Sequence, residues 1–312
     1  MTKPLSIMVN TGATPEVRFE TSGHTAMPIA WFRSREQLDQ EIQVILSGRV
    51  TKLNRIISFA PTRHIYGYVF AHHLPSYINV KVTEAWRNML DVPKLKGNEH
   101  LLIVATPGCW RIIWEMARYT SPKQWIVLHS GGLLPKLCQP WIEYLLKQGA
   151  RVIEILGSTE TGAIATREAN TDYTKPWQLV SDVELAGDYS SGTSRLSISS
   201  PRIGRRFDLV VAPHTWTLPD LVDVMPDRRH FTYVGRESRF VKVDGRRCNL
   251  ELIELRIRTL ESIADVACIA RRSAVRGEHY DIYLVVRPDS YIGNDLISCI
   301  KMVAKGYHSL MR

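Results

Sequence analysis

Residues 154–166 read EILGSTETGAIAT, and the reading of this stretch decides the fold. A short apolar strand breaks at Gly157 and gives way to three hydroxyl side chains, Ser158, Thr159 and Thr161, around one carboxylate, Glu160. Gly162 closes the run. A strand that ends this way has the chemistry of a phosphate-and-metal site. Glycine lets a phosphate approach the backbone, hydroxyls and N–H groups donate to it, and a carboxylate can hold Mg²⁺. The same residues also suit a plain polar turn after a buried strand. The flanking sequence separates the two readings.

Upstream, apolar runs recur at Arg55–Pro61 (RIISFAP), Leu101–Ala105 (LLIVA), Trp125–Leu128 and Arg151–Leu156. Between them the spacing predicts a helix through Trp110, Ile113 and Met116 and another from Pro135 to about Gly149. An earlier helix over Arg35–Ser47 has Leu38, Ile42, Ile45 and Leu46 on one side. Strands that are apolar throughout, alternating with helices, predict a parallel sheet covered on both faces. Ligands of such sheets sit beyond the carboxyl ends of the strands. The polar loops fall there: Thr21–Pro28 (TSGHTAMP) after a strand ending VRFE, 62–67 around His64, 129–135 with the pair Gly131–Gly132, and 157–162. Their convergence on one crevice is the strongest physical argument for a site. TSGHTAMP is not a P-loop, because GxxxxGK[ST] is absent. Taken singly, His64 also fits a packing corner, and a Ser/Thr/Gly cluster also fits an ordinary loop.

Downstream the texture changes. Over 177–234, SDVELAG, SRLSISSP, RFDLVVAP, DLVDVMPD and HFTYVG read as short strands of a small antiparallel unit. Gly235-Arg236 reads as a junction. Beyond it come FVKVDG, a helix from Leu250 to Leu260, strands at Ala264–Ala270 and Tyr280–Val286, and a last helix from Asn294. The expected fold is α/β: a mostly parallel sheet with flanking helices, then a small antiparallel β unit and a compact C-terminal α+β domain. The expected divisions are 1–175, 176–235 and 236–312.

Composition narrows the function classes. The 312 residues are 45% hydrophobic and 23% charged, ordinary for a soluble globular protein. No apolar run has the length of a membrane span and the N-terminus lacks a signal-peptide core, so the expected location is cytoplasmic, with no membrane partner. Cys109, Cys138, Cys248, Cys268 and Cys299 are scattered with no CxxC spacing, which argues for reduced thiols and against a zinc site or disulfide framework. A net charge of +9 suits an anionic ligand or an acidic partner. The basic residues are dispersed, with doublets at Arg205-Arg206, Arg228-Arg229, Arg246-Arg247 and Arg271-Arg272 and no long basic arm, which disfavours nucleic acid.

The order of these motifs resembles the adenylate-forming (AMP-binding) superfamily of acyl- and aryl-CoA synthetases, adenylation domains and luciferase-like enzymes. TSGHTAMP resembles the family's TSGTTGxPK phosphate loop, RHIYGY its aromatic acyl-pocket motif, HSGGLLP its SGGxxLP turn and LGSTETG its YGxTE motif. Asp220 in LPDLVDV resembles the Asp of TGD. Gly235-Arg236 through Lys242-Val243-Asp244-Gly245 to Ile253-Glu254 resembles GRxxDxIKxxGxxIxxxEIE. Six motifs in order over roughly residues 20–260 are far more specific than any one. The resemblance implies that a carboxylate attacks the α-phosphate of ATP to give an acyl-adenylate and pyrophosphate, after which the thiol of CoA or of a carrier-protein phosphopantetheine displaces AMP. It implies that Thr21, Ser22, Gly23 and Thr25 hold the β/γ-phosphates and that Thr159, beside Ser158, contacts the α-phosphate. Glu160 takes Mg²⁺, and Asp220 and Arg236 take the ribose hydroxyls. Gly131, Gly132 and Gly157 line the adenine and acyl side. His64 sits near the substrate carboxylate, and Lys242 and Gly245 belong to the mobile C-terminal unit that meets the thiol.

The chain departs from the family pattern at four points. Ile29 stands where the phosphate loop has Lys, Leu156 where an aromatic stacks on adenine, and Ser238 at the hinge acid. The C-terminal Lys motif has no counterpart beyond the candidates Lys301 and Lys305. The family's first αβ lobe has no counterpart either, so the resemblance implies a version trimmed at both ends. A trimmed lobe exposes apolar surface, which points to a homodimer or a partner subunit. PTRHIYGY carries no acid to hold an α-amine, so the implied substrate is an aryl or aliphatic carboxylic acid. The basic surface suits an acidic carrier protein and CoA equally. The main expectation is thus an AMP-forming acid–thiol ligase; a neighbouring form passes the adenylate to an amine. The alternative is a non-catalytic relative that binds nucleotide or acyl-adenylate as a partner or regulatory subunit. A basic nucleic-acid-binding protein is a third reading and predicts binding that falls steeply with salt.

Overall fold

The computed structural model describes residues 15–21, 29–50, 52–89, 93–95, 99–132, 134, 136–169, 175–190, 192–243, 246–273, 277–288, 290 and 293–306. In chain order the elements are β1 (Glu16–Glu20), β2 (Ala30–Ser34), α1 (Arg35–Leu46), β3 (Arg55–Ser58), α2 (Ile65–Tyr68), α3 (Pro75–Ile78), β4 (Lys81–Glu84), β5 (Leu101–Ala105), α4 (Trp110–Arg118), β6 (Trp125–His129), α5 (Gln139–Lys147), β7 (Arg151–Ser158) and β8 (Gly162–Glu168). There follow β9 (Trp177–Leu179), β10 (Glu184–Leu185), β11 (Ser194–Ser199), β12 (Arg205–Arg206), β13 (Thr215–Val224), β14 (His230–Arg236), β15 (Phe240–Val243), β16 (Arg246–Asn249), α6 (Leu250–Ile257), β17 (Ile263–Ser273), β18 (Gly277–Val286) and α7 (Asn294–Gly306). Contacts divide the chain into two compact units. One comprises Met1–Gly187, Ser197–Trp216 and Met225–Phe231, the other Asp188–Leu196, Thr217–Val224 and Thr232–Arg312.

In the first unit β4, β3, β5, β6 and β7 run parallel in that order, with Ile56 opposite both Val82 and Leu102, Leu102 opposite Ile126, and Val127 opposite Val152. Every residue of β5 and β6 is buried, as their apolar sequences require of strands covered on both faces. On one face the sheet packs against Trp110, Ile113 and Met116 of α4 and Ile142 and Leu145 of α5. β8 then turns back antiparallel to β7, and β9 pairs antiparallel to β8. A separate antiparallel sheet joins β1, β2 and β12.

Two sequence-based expectations change here. RFDLVVAP does not form a strand: only Arg205–Arg206 pairs, and Phe207, Val210 and Val211 are exposed, Val210 by 94%. Apolar residues without a partner strand or face gain nothing from extension, and Arg206 bends the chain by gripping Asp208 at 2.5 and 2.6 Å. In SDVELAG only Glu184–Leu185 is extended. Between α2 and α3, residues Val69–His73 form a π turn that buries Val69, Phe70, Ala71 and His73. β4, with the polar sequence KVTE at the sheet edge, gave no apolar signal to read.

The second unit has its own core: Val241 and Cys248 from the β15–β16 hairpin, Leu250, Ile253 and Ile257 from α6, Ile263, Val266 and Cys268 from β17, and Ile300 from α7. α6 starts at Asn249, whose side chain accepts from the amides of Glu251 and Leu252, an N-cap.

Candidate active site

The carboxyl ends of β3, β5, β6 and β7 lie side by side, with Ser58 opposite Val104, Ala105 opposite His129 and His129 opposite Glu154. The loops at 62–67, 129–135 and 157–162 follow β3, β6 and β7, whereas the fourth loop singled out in the sequence, Thr21–Pro28, follows β1 of the separate antiparallel sheet and does not leave from this row. At about 4.8 Å per strand, the row from β3 to β7 spans about 14 Å, the width of a small-molecule crevice.

The turn after β7 is tightly made. Gly157 sits where the β7–β8 pairing shifts register, and a Cβ there would meet the Gly162 carbonyl oxygen at 2.3 Å. Gly162 has φ +66°, which only glycine adopts without strain. The Ser158 and Thr161 hydroxyls lie 3.0 Å apart, the Thr161 amide donates to Ser158 Oγ, and the Thr161 hydroxyl donates to the Gly162 carbonyl. Thr161 is buried. These two hydroxyls are therefore spent on the turn itself. Thr159 and Glu160, both half-buried, are its two side chains with no hydrogen bond among the described residues.

The loop after β6 is held from beneath by a residue the sequence reading passed over. His129 is buried and accepts from Trp110 Nε1 through Nδ1 at 3.3 Å, which places its own proton on Nε2, 3.1 Å from the Gly132 carbonyl. Ser130 Oγ donates to the Ile155 carbonyl and ties this loop to β7. Gly131 has φ +84° and open space around it, and Gly132 packs on Pro107. The only sequence signal for His129 was a polar residue ending an otherwise apolar strand.

His64 heads α2, exposed, with no capping bond from its side chain. Partial burial of the imidazole, then the charge of Arg63, lowers its pKa and keeps it neutral near pH 7. Behind it Tyr66 donates to the Leu128 carbonyl at 2.7 Å, and burial raises its phenol pKa well above the ordinary value. Thr21 closes the base of the loop that follows β1. Its amide donates to the Ile29 carbonyl, and its hydroxyl accepts from the Ile29 amide, each at 3.0 Å. Ser22, Gly23, Thr25 and Gly245 lie outside the described residues.

In the second unit Asp220 and Arg236 are neighbours, Nε to Oδ1 at 3.5 Å, with Asp220 buried and the guanidinium half-exposed. The Arg236 amide and the Tyr233 hydroxyl both donate to Glu251, whose pKa is raised by burial. Lys242 lies on β15, its backbone opposite Arg247.

Among the described residues no three His, Cys, Asp or Glu side chains gather into a metal cluster. A lone carboxylate still fits Mg²⁺, which is commonly held by one or two carboxylates together with substrate phosphates and water.

The fold is that of acyl-activating ligases. O-succinylbenzoate coenzyme A synthetase from Bacillus subtilis, in complex with ATP and magnesium ion, superposes with a TM-score of 0.71 over 93% of this chain and 64% of that one, at 15% identity. No protein-family model matches the chain. Two curated relatives do. A 4-coumarate–CoA ligase from Cereibacter sphaeroides is 29% identical over 237 residues, 75% of this chain and 51% of the relative. A second 4-coumarate–CoA ligase, from Halorhodospira halophila, is 25% identical over 265 residues, 83% of this chain and 60% of the relative. The chain thus spans between half and two thirds of the proteins it matches. It is similar to these ligases in sequence and shares the fold of the solved synthetase.

Proposed function

We propose that the protein is an AMP-forming acid–thiol ligase that activates an aryl or aliphatic carboxylic acid. The observation that carries the reading is the turn after β7. Ser158 and Thr161 use their hydroxyls to build it, and the Thr159 hydroxyl and Glu160 carboxylate make no hydrogen bond among the described residues at this strand end. Two polar side chains held ready on a rigid turn suit a phosphate and its cation. The names of the two curated relatives support the same chemistry.

In this reading an oxygen of the substrate carboxylate bonds to the α-phosphorus of ATP. The bond to the bridging oxygen breaks, and pyrophosphate leaves. The sulfur of CoA or of a carrier-protein phosphopantetheine then adds to the acyl carbonyl, and AMP leaves with the bonding pair. Thr159 donates to an α-phosphate oxygen, and Glu160 holds Mg²⁺. The ion supplies neutralisation of phosphate charge. His64, neutral near pH 7, orients the acid by hydrogen bonding rather than by ion pairing. Gly131, Gly132 and Gly157 line the crevice, and Thr21 anchors a loop whose Ser22, Gly23 and Thr25 donate to the outer phosphates. In the second unit Asp220 and Arg236 form a diol-binding pair, one accepting and one donating. Lys242 and Gly245 are assigned to the thiol-transfer step.

No helix among the described residues is long and apolar enough to cross a membrane. We place the protein in the cytoplasm, where ATP and CoA are supplied, and we include an acyl carrier protein and a second subunit among its candidate partners. The test is pyrophosphate release from ATP and Mg²⁺ across a panel of aryl and fatty acids, with Glu160→Ala alongside. Release that depends on one acid and falls about 100-fold or more in the variant is expected. ATP binding with no release for any acid would overturn ligation in favour of a nucleotide-binding relative.

A further inference from the structure

Beneath the same turn lies a cluster of four charges that the ligase reading does not use. Arg33 of β2 and Arg202 are fully buried, Glu41 of α1 is 4% exposed, and Asp182 is partly buried. Arg33 Nη1 donates to Glu41 Oε2 at 3.2 Å, and Arg202 Nη1 lies 3.5 Å from the same oxygen. Arg202 also grips Asp182 with Nε at 2.7 Å and Nη2 at 2.9 Å. The two positive and two negative charges balance.

What the cluster holds is one peptide unit pair. Glu41 Oε1 accepts from the Ala163 amide at 3.1 Å, and Arg202 Nη2 donates to the Ala163 carbonyl at 2.6 Å. Ala163 sits in β8 two residues before its pairing with β9 begins at Ala165. The cluster thus continues the ladder where the strand partner has not yet arrived. The fit extends to Gly162: a Cβ there would come within 2.1 Å of Glu41 Oε2 and 2.7 Å of Arg33 Nη2. Gly204, next to Arg202 and Ile203, donates its amide to the Glu160 carbonyl at 2.8 Å. The turn that carries Thr159 and Glu160 is therefore fixed at its exit by side chains and at Glu160 by backbone. Glu160 is also one of the two acids whose charge Arg33 feels, the other being Glu41.

We infer that Glu41, acting with Arg33 and Arg202, is a positioning residue that sets where the Glu160 carboxylate stands. The inference rests on the role given to Glu160 above. A buried ion cluster adds little net stability compared with apolar packing of the same volume, because desolvation offsets the attraction. What it adds is direction: hydrogen bonds to both the N–H and the C=O of one residue, which apolar contact cannot supply. Outer partners of a metal-holding group typically change metal affinity or activity by 10- to 100-fold when altered.

The test compares Glu41→Gln with Glu154→Gln. Glu154 forms a buried two-pronged pair with Arg167, at 2.8 and 2.9 Å, in the same β7–β8 hairpin but away from Ala163. Two readouts are taken: hydrogen exchange over 158–163, and the Mg²⁺ concentration for half-maximal pyrophosphate release. Glu41→Gln is expected to speed exchange in the turn and to raise the Mg²⁺ requirement, each by about tenfold or more, while Glu154→Gln does neither. Equal behaviour of the two variants in both readouts would overturn the inference. If the unaltered protein releases no pyrophosphate with any acid, the ligase reading falls, and the exchange data still decide whether Glu41 holds the turn. Should Glu41→Gln fail to fold, Arg202→Lys, which keeps the charge and loses the planar fork, carries the same comparison.

Discussion

Replacing Gly162 by Ala separates two costs that usually arrive together. The first is conformational. Gly162 has φ +66°, and an L-residue with a Cβ pays about 1–2 kcal/mol there. The second is steric. The new Cβ would lie 2.1 Å from Glu41 Oε2 and 2.7 and 2.9 Å from the Arg33 guanidinium nitrogens. Neither neighbour is a flexible surface group that swings aside: Arg33 is fully buried and Glu41 is 4% exposed. Moving Glu41 breaks its bonds to the Ala163 amide and to Arg33, and breaking a buried ion pair costs about 3–5 kcal/mol. The expected total is about 4–7 kcal/mol. Gly131→Ala is the matched reference, because Gly131 has φ +84° and nothing within 4 Å of its would-be Cβ. It should cost only the conformational part, about 1–2 kcal/mol. Denaturant unfolding followed by tryptophan fluorescence is the assay. All eight tryptophans (Trp31, Trp86, Trp110, Trp114, Trp125, Trp141, Trp177 and Trp216) fall in the first unit, so the signal reports that unit alone. If the two variants lose stability within about 1 kcal/mol of each other, the ion cluster yields at no cost and the account of its rigidity is wrong.

Two further outcomes are expected. In the native protein at pH 8, iodoacetamide should label Cys299 and spare Cys109, Cys138, Cys248 and Cys268, which are buried; burial pushes the Cys109 and Cys268 thiols up to about 12, and mass spectrometry counts the adducts. Asp227 accepts from His230 and from the Arg229 and His230 amides, which lowers its pKa to about 2, so its stabilising effect is present above pH 4 and is lost as pH falls towards 2. Asp227→Asn should therefore unfold more easily than the unaltered protein at pH 5 and equally easily at pH 2, and a gap that persists at pH 2 would contradict the assignment.

What the sequence made legible follows from how local each signal was. β5 and β6 announced themselves because four or five consecutive apolar residues leave a buried strand as the simplest choice, and their loops were placed by sheet topology alone. The turn at 157–162 was recognised, but for half of its reason. Gly157 and Gly162 also serve the antiparallel return of β8, in which Gly157 pairs with Ala163 and Gly162 with Ser158 across the hairpin. Phe207–Val211 misled, because a run of apolar residues is evidence for a strand only if something covers it. Glu41 was hidden for the opposite reason. It occupies the apolar stripe of α1 between Leu38 and Ile45, where Ile42 was expected inside, and its partners lie 122 and 161 residues away at Ala163 and Arg202. A carboxylate within an apolar stripe is the one trace such a cluster leaves in sequence.

The contrast between the two buried carboxylates that meet the hairpin, Glu154 on β7 and Glu41 on α1, shows what distance from the site permits. Glu154 pairs with one arginine, Arg167, whose guanidinium also covers the Trp177 ring at 4.6 Å. That pair, with a further bond from Arg167 to the Lys175 carbonyl, leaves the backbone of β7 and β8 to their ordinary ladder. Glu41 instead divides its two oxygens, one for two arginines and one for the Ala163 amide. Arg33 accepts an expensive position to make this possible. Its Nε and Nη2 are buried without a hydrogen-bond partner among the described residues, and burial lowers its pKa to about 10. An unmet buried donor costs about 1–3 kcal/mol, more than a surface ion pair returns. Stability alone would favour a smaller apolar residue at 33. The placement makes sense if the geometry of the turn above it, which carries Thr159 and Glu160, is what the four charges maintain through the Ala163 amide and carbonyl.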